Sequence, residues 1–239
     1  MFKAIESYVF MKNTILLDRI DYSNIMACKG DPSAFFFQSG MSIDADGAFR
    51  AYHPDDEKGL DHLANAGRPG NWWGLVTDNG SPGGKPLIQR FRDPAPGYYI
   101  SSTSLADSFR ELNDPLRYVD SETIPFIVLP ANKRFGARLG DLCIVYNPVM
   151  DEYCGGVFAD LGPRNKIGEA SIAMAKKLGI PSSPKTGGIA HGIVYLVFPR
   201  SSHGWPLSND EIQQYSRDMF WNWGGTSRLE EVFQLQHVA

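Results

Sequence analysis

Two carboxylates in the segment FADLGPRNKIGEAS form the pattern in this sequence that most suggests catalysis. Asp160 ends a predicted strand, and Glu169 follows nine positions later. The loop between them contains Gly162, Pro163 and Gly168, residue types that form compact turns. Such a loop can bring both carboxyl groups to one side of a sheet. Glycoside hydrolysis requires this arrangement, because one group protonates the leaving oxygen while the other activates water or attacks the sugar.

The local elements predict different roles for the two groups. Glu169 opens a predicted helix, EASIAMAKKL, whose dipole should hold the carboxylate ionised and suit it to a base role. Asp160 lies beside apolar strand residues, where a raised pKa would suit it to an acid role. The structural alternative is that both residues are ordinary caps, Asp160 of a turn and Glu169 of a helix.

A second acidic segment, IDADG, contains Asp44 and Asp46. Its Asp side chains and Gly47 have turn chemistry, and the flanking apolar residues predict a hairpin around it. A D-x-D-G stretch could begin a calcium loop, but the EF-hand pattern needs Glu at the twelfth position, which here is Asp55. We therefore expect a turn, or a contact with carbohydrate hydroxyls, rather than a metal site.

Several aromatic side chains could stack on sugar rings or attract a glucosamine ammonium group. The alternative is that they pack a long loop onto the body of the protein. These residues are Trp72, Trp73, Tyr98, Tyr99 and Tyr118.

The sequence offers little for other kinds of catalysis, and we expect neither a cofactor nor a metal. The histidines show no H-E-x-x-H spacing, and no G-x-S-x-G or Walker pattern occurs. They are His53, His62, His191, His203 and His237. The three cysteines, Cys28, Cys143 and Cys154, match no zinc motif and are expected to be buried thiols, with one bridge through Cys28 left open.

Composition and charge restrict the class of partner. The 239 residues are 43% hydrophobic and 21% charged, which is typical of a globular chain. A net charge of −4 without basic runs argues against nucleic acid and fits a neutral or cationic ligand. Because no apolar run approaches the ~20 residues that span a bilayer, we expect no membrane partner. Glu6 and Lys12 interrupt the N-terminal segment, so it predicts no secretory signal and leaves the cellular location open.

Short strands and turns dominate the predicted elements. Strands are predicted at 98–103, 126–129, 141–146, 153–160 and 192–198, the third and fourth joined by a turn at Asn147-Pro148. A short helix-like patch covers 104–112, and a capping box at Ser208 opens a C-terminal helix over 208–222, after which WNWGG ends the pattern. Residues 53–97, dense in Gly and Pro, predict a long ordered excursion.

These elements predict one mainly β domain over 1–239, a barrel or sandwich with a few short helices. Parallel βαβ alternation is absent, which excludes a doubly wound α/β fold.

The order of four motifs resembles the fungal-type chitosanases of glycoside hydrolase family 75. The matching segments are IDADG, YVDSETIPFIVLP, GDLCIVYN and VFADLGP followed by IGEASIAMAKKLGI, across roughly residues 40 to 200. The resemblance implies a six-stranded double-psi β-barrel, with the barrel core at about 40–200. It also implies inverting endo-hydrolysis of chitosan, with Asp160 and Glu169 as catalytic carboxylates. We expect the chain to act as a monomer. Family members are usually secreted.

The resemblance also completes the predicted substrate site. Asp44, Asp46 and Asp120 are expected to bind glucosamine ammonium groups, and Tyr118, Trp72 and Trp73 to contact the sugars. Two alternatives remain open on the same barrel: a non-hydrolytic carbohydrate-binding or wall-loosening protein, and a peptidoglycan lytic enzyme.

Overall fold

A computed structural model describes residues 13–233, which form ten strands and three α-helices. The strands are β1 (Thr14–Ile20), β2 (Ser23–Cys28), β3 (Asp31–Asp44), β4 (Gly67–Arg68), β5 (Asn71–Trp72), β6 (Phe126–Pro130), β7 (Leu142–Asn147), β8 (Glu152–Gly162), β9 (Glu169–Ser171) and β10 (Ile189–Val197). The helices are α1 (Ile172–Lys177), α2 (Asn209–Trp223) and α3 (Gly225–Phe233). Most of the N-terminal segment assessed for a secretory signal, and His237, lie outside the described residues.

Six strands form a closed β-barrel in the order β3-β10-β7-β8-β6-β9, and β9 pairs back onto β3. The pairs β6–β8 and β3–β9 are parallel, and the other four barrel pairs are antiparallel. Strands β1 and β2 extend the sheet outward from β3. The prediction of a mainly β protein with a six-stranded barrel and a few short helices is therefore confirmed.

The aromatic triplet in β3 shows how the two faces of the barrel wall are filled. Side chains alternate between faces along a strand. Phe35 and Phe37 belong to the main hydrophobic core, where the Phe37 ring stacks on Tyr195 at 4.7 Å. Phe36 points to the other face and meets Trp223 of α2 at a ring separation of 6.2 Å. The helices α2 and α3 thus cover the outside of the barrel wall.

The local predictions around the β7–β8 hairpin and α2 are confirmed within a few residues. Strands β7 and β8 pair antiparallel on either side of the turn after Asn147. Ser208 and Glu211 form the predicted capping box at the start of α2. The sequence also predicted that regular structure ends at WNWGG. That prediction is wrong, because α3 follows directly. All three cysteines are free and buried, as expected.

Four predicted elements are wrong. The strand predicted at 98–103 does not form, because Tyr99 and Ser101 make only isolated bridges, to Ile88 and Leu75. Glu169 does not open a helix, because residues 169–171 pair with β3 and β6 as a strand and α1 begins only after Ser171. No hairpin forms at IDADG, because β9 and β10 already occupy both edges of β3. No helix forms over 104–112, where the Asp107 side chain accepts the Phe109 N–H and stabilises a turn.

The chain between β3 and β6, residues 45–125, crosses one end of the barrel and includes the predicted excursion over 53–97. It consists of turns, three short 3-10 helices and the small β4–β5 pair. Its first turn requires glycine: Gly47 has φ +80°, and a Cβ there would lie 2.0 Å from the Val119 carbonyl oxygen. The chain therefore leaves the end of β3 at a fixed position beside Asp44 and Asp46.

Ser171 ties β9, β6 and α1 together. Its buried hydroxyl accepts the Met174 N–H at 3.1 Å, as the α1 cap, and the Phe126 N–H at 3.0 Å, at the start of β6.

Replacing Ser171 by Ala removes the cap and leaves the buried Phe126 N–H without a partner. We expect Ser171→Ala to lower the free energy of unfolding by about 2–4 kcal/mol. The matched control is Ser208→Ala, which removes the exposed cap of α2 and should cost about 1 kcal/mol. Urea denaturation measures both, and equal losses would show that the second bond of Ser171 contributes nothing.

Candidate active site

A cavity of about 750 Å³ lies at the end of the barrel where β3 and β8 finish and β9 begins. The strand ends contribute Asp44, Asp160 and Glu169 to its wall, and the excursion contributes Asp61 and Trp73. The start of β10 and the preceding loop close the remaining side. The predicted catalytic pair therefore faces a single cavity.

Strand register fixes the separation of Asp160 and Glu169. In β6, Val128 pairs with Asp160 of β8 on one side and with Glu169 of β9 on the other. Neighbouring strands lie about 4.8 Å apart, so the two Cα atoms are roughly 9–10 Å apart across β6. Inverting glycosidases hold their carboxyl groups about 6.5–9.5 Å apart to leave room for a water. A Cα separation of this size leaves room for carboxyl groups that far apart when both side chains reach into the cavity.

Asp160 is held by three hydrogen bonds to one oxygen. Its Oδ1 accepts the Ser104 N–H at 3.0 Å, the Leu161 N–H at 2.7 Å and the Ser104 hydroxyl. Asp160 is buried, and burial raises its pKa to about 6 against the opposing effect of these hydrogen bonds. The predicted direction is confirmed, and a carboxyl with this pKa can hold a proton in mildly acidic solution.

Asp44 and Asp46 lie beside Asp160, and one oxygen from each of the three lies within 4.8 Å of the others. The Asp46 N–H donates to Asp44 Oδ1 at 2.7 Å, and Asp46 Oδ1 accepts the Tyr52 hydroxyl at 2.8 Å and the Ser101 hydroxyl at 3.2 Å. Burial and neighbouring carboxylates raise the pKa of both Asp44 and Asp46 well above the usual value. The cluster therefore resists full ionisation.

Glu169 is governed by a different balance. Burial raises its pKa, the Lys166 ammonium 3.6 Å from Oε1 lowers it, and the Asp61 carboxylate raises it. The net direction is upward, whereas the sequence predicted that a helix dipole would keep Glu169 ionised. That prediction is wrong because Glu169 lies in β9, ahead of α1.

A cation could be held by the three clustered aspartates, since carboxylate oxygens are the ligands that calcium and magnesium prefer. Within the described part of the chain, no histidine or cysteine joins a group of this kind. The absence of a metal at this cluster stays a prediction from the sequence.

Of the remaining residues that were predicted to contact the substrate, one lines the cavity and three do not. Trp73 lines it, with 58% of its surface exposed and its indole N–H donating to the Asn65 carbonyl at 2.8 Å. Trp72, its neighbour on an extended segment, points the other way and is buried in the core. Asp120 is engaged by the Glu122 N–H and the Thr123 hydroxyl in a turn, and Tyr118 donates to the Leu112 carbonyl. Trp72, Tyr118 and Asp120 are therefore not among the residues that line this cavity.

Sequence reasoning missed Tyr52, Asp61 and Lys166, which also line the cavity. Lys166 could have been found, because it lies three residues before Glu169 in the loop already singled out. Tyr52 and Asp61 gave no local signal, since turns of the excursion bring them to the barrel end.

No protein-family model matches this sequence, and a search of curated proteins finds no significant match. The function must therefore be argued from the residues of the cavity.

The free energy of unfolding should decrease as the pH rises, because burial raises the pKa of these carboxyl groups. A group whose pKa is raised by folding is still protonated in the folded chain at a pH where the unfolded chain has already lost that proton. Its stabilising effect is therefore complete below the unfolded pKa, near 3.8 for Asp160, and disappears as pH rises through about 6.

We expect Asp160→Asn to be more stable than the wild type at pH 7–8, by on the order of 2–3 kcal/mol, and to differ little near pH 3.5. The Asn oxygen can still accept from Ser104 and Leu161. Denaturant unfolding from pH 3.5 to 8 measures the difference. If the free energy of unfolding of Asp160→Asn changed with pH in the same way as that of the wild type, Asp160 would not carry a destabilising buried charge.

Proposed function

We propose that the protein is an inverting, endo-acting glycoside hydrolase that cleaves chitosan, the β-1,4-linked glucosamine polymer. The observation that carries the proposal is the placement of Asp160 and Glu169 on either side of β6, facing one cavity. The motif order that resembles the family 75 chitosanases supports the same pair.

In this proposal Asp160 is the general acid and Glu169 the general base. Asp160 gives its proton to the glycosidic oxygen as the bond to the anomeric carbon breaks. Glu169 takes a proton from a water that attacks that carbon from the opposite face, so the configuration inverts. Solvent then returns a proton to Asp160 and removes one from Glu169. The raised pKa of Asp160 supports the acid role, since the group must be protonated when the substrate arrives.

The charge of the cavity supports an amino-sugar polymer as substrate. Four of its lining residues are aspartates and one is Glu169, whereas Lys166 is the only Lys or Arg among the described lining residues. Ammonium groups of glucosamine would favour ionised carboxylates, and Asp44 and Asp46 are the proposed partners. The exposed face of Trp73 offers a surface on which a sugar ring can stack.

The barrel is also proposed to be of the double-psi type. Two parallel pairs, β3–β9 and β6–β8, interrupt an otherwise antiparallel barrel. These two pairs support the proposed topology, because a double-psi barrel contains parallel strand pairs whose connecting segments cross.

Removing either carboxylate should abolish most of the activity. We expect Asp160→Asn and Glu169→Gln each to lower kcat on chitosan by at least ~10², the scale of acid–base catalysis. New reducing ends are measured on chitosan, cellulose and peptidoglycan, and Asp120→Asn serves as a matched variant that should remain near the wild-type rate. A near wild-type rate for either catalytic variant on the best substrate would overturn the assignment.

The same assay separates the alternative functions. Saturable glycan binding without new reducing ends would identify a non-hydrolytic binding or wall-loosening protein. An anhydro-sugar product from peptidoglycan would identify a lytic enzyme. Either result would contradict the proposed hydrolysis of chitosan.

A further inference from the structure

Lys166 lies in the loop that joins β8 to β9, three residues before Glu169. Its ammonium is 3.6 Å from Glu169 Oε1, and the side chain lines the cavity. The loop is anchored directly after it: Ile167 is buried, its carbonyl accepts the Ser39 hydroxyl, and Gly168 packs against Gly40 with φ +85°. The backbone therefore holds Lys166 beside the carboxylate.

The other neighbours of Glu169 oppose its ionisation. Asp61 raises the pKa of Glu169, and Lys166 lowers it. The other titratable groups facing Glu169 from the surrounding elements are Asp44, Asp46, Asp160 and Tyr195, and the charge of Glu169 raises the pKa of each. All five groups other than Lys166 are acids, and none of them can offset the negative charge of Glu169. The helix dipole of α1 is remote from the carboxyl group in the chain, since α1 begins three residues later at Ile172.

The two oxygens of Glu169 have different surroundings. Lys166 approaches Oε1, whereas Oε2 faces Gly162, where an added Cβ would lie 3.5 Å from it. One oxygen is thus paired with the ammonium, and the other lies on the side of the cavity wall that Gly162 forms.

We propose that Lys166 is a positioning residue for the base, whose ammonium holds the Glu169 carboxylate ionised and turned so that Oε2 faces the water. This inference rests on the proposed function, because a base role for Glu169 gives the ion pair its purpose. It also replaces the helix dipole that the sequence suggested for the same task.

The experiment compares Lys166→Gln and Lys166→Arg with the wild type. Arg164→Gln is the control, because Arg164 is exposed in the same loop, is not among the cavity-lining residues and loses the same charge. Initial rates on chitosan give kcat and KM from pH 3.5 to 8. In parallel, the Glu169 carboxyl carbon is titrated by NMR in ¹³C-labelled protein, with Glu169→Gln used to assign its signal.

We expect Lys166→Gln to move the acid limb of the kcat profile up by about 0.5–1 pH unit. This pKa shift lies at or below the low end of the range that an adjacent opposite charge usually causes, because the Lys166 side chain is 44% exposed and its charge is partly screened by solvent. At pH values on the acid limb, the kcat of Lys166→Gln should be about 3- to 10-fold lower than that of the wild type. Its KM should stay constant or decrease, because the substitution removes a positive charge from a site for a cationic polymer. The alkaline limb should stay in place, and the carboxyl titration should move with the acid limb. Lys166→Arg should restore the wild-type limb, and Arg164→Gln should keep it.

The outcomes distinguish failure of this inference from failure of the proposed function. An unchanged Glu169 titration and acid limb in Lys166→Gln, with an active wild type, would overturn the role of Lys166 alone. A rise in KM at constant kcat would overturn it in favour of direct substrate binding. Absence of hydrolysis by the wild type on every glycan would overturn the proposed function, and the positioning role with it.

Discussion

Both the barrel and the candidate site depend on the pairing of β9, a strand of three residues. It pairs in parallel with β3 and antiparallel with β6, and these two ladders close the barrel. Its first residue, Glu169, is thereby placed across β6 from Asp160, and its last, Ser171, caps α1. Because strand spacing in a barrel is nearly fixed, this closure sets the distance between the two backbone positions from which the carboxylates project.

The second constraint is electrostatic and acts against stability. Asp44 and Asp160 are buried, with the half-buried Asp46 beside them, and burial together with neighbouring carboxylates, Glu169 among them, raises the pKa of each. A core filled with apolar side chains would avoid this cost. In the proposed mechanism a carboxyl there must carry a proton near pH 6, so the cost in stability would serve activity. The hydrogen bonds to Asp160 limit the cost and fix which of its oxygens is free.

Sequence patterns of sufficient length predicted the fold well. The β7–β8 hairpin and the capping box at Ser208 are local features, and both were found within a few residues of their true bounds. β9 was missed because three residues have no detectable period, and its partners β3 and β6 are distant in the chain. The segment EAS was therefore assigned to the helix that follows it. The capping serine inside it, Ser171, was the available sign that the helix begins later.

The candidate site was predicted in part, for the same physical reasons. Asp160 and Glu169 are separated by one short loop, so local reasoning could bring them together. Trp72 and Trp73 were both assigned to the site, although adjacent residues in an extended segment face opposite ways, and only the fold shows that Trp73 lines the cavity. Asp61 reaches the cavity through turns of the excursion, which no sequence pattern announces.

The stereochemistry of the first product reports on the proposed mechanism, because inversion requires Glu169 to act through a water across the cavity from Asp160. Wild-type protein is mixed with a chitosan oligomer, and the anomeric protons of the new reducing ends are followed by ¹H NMR from the first minutes. We expect the α-anomer to appear first from the β-linked substrate and the β-anomer to accumulate only by later mutarotation. Initial release of the β-anomer would contradict the proposed mechanism, since retention requires a carboxylate close enough to attack the sugar itself.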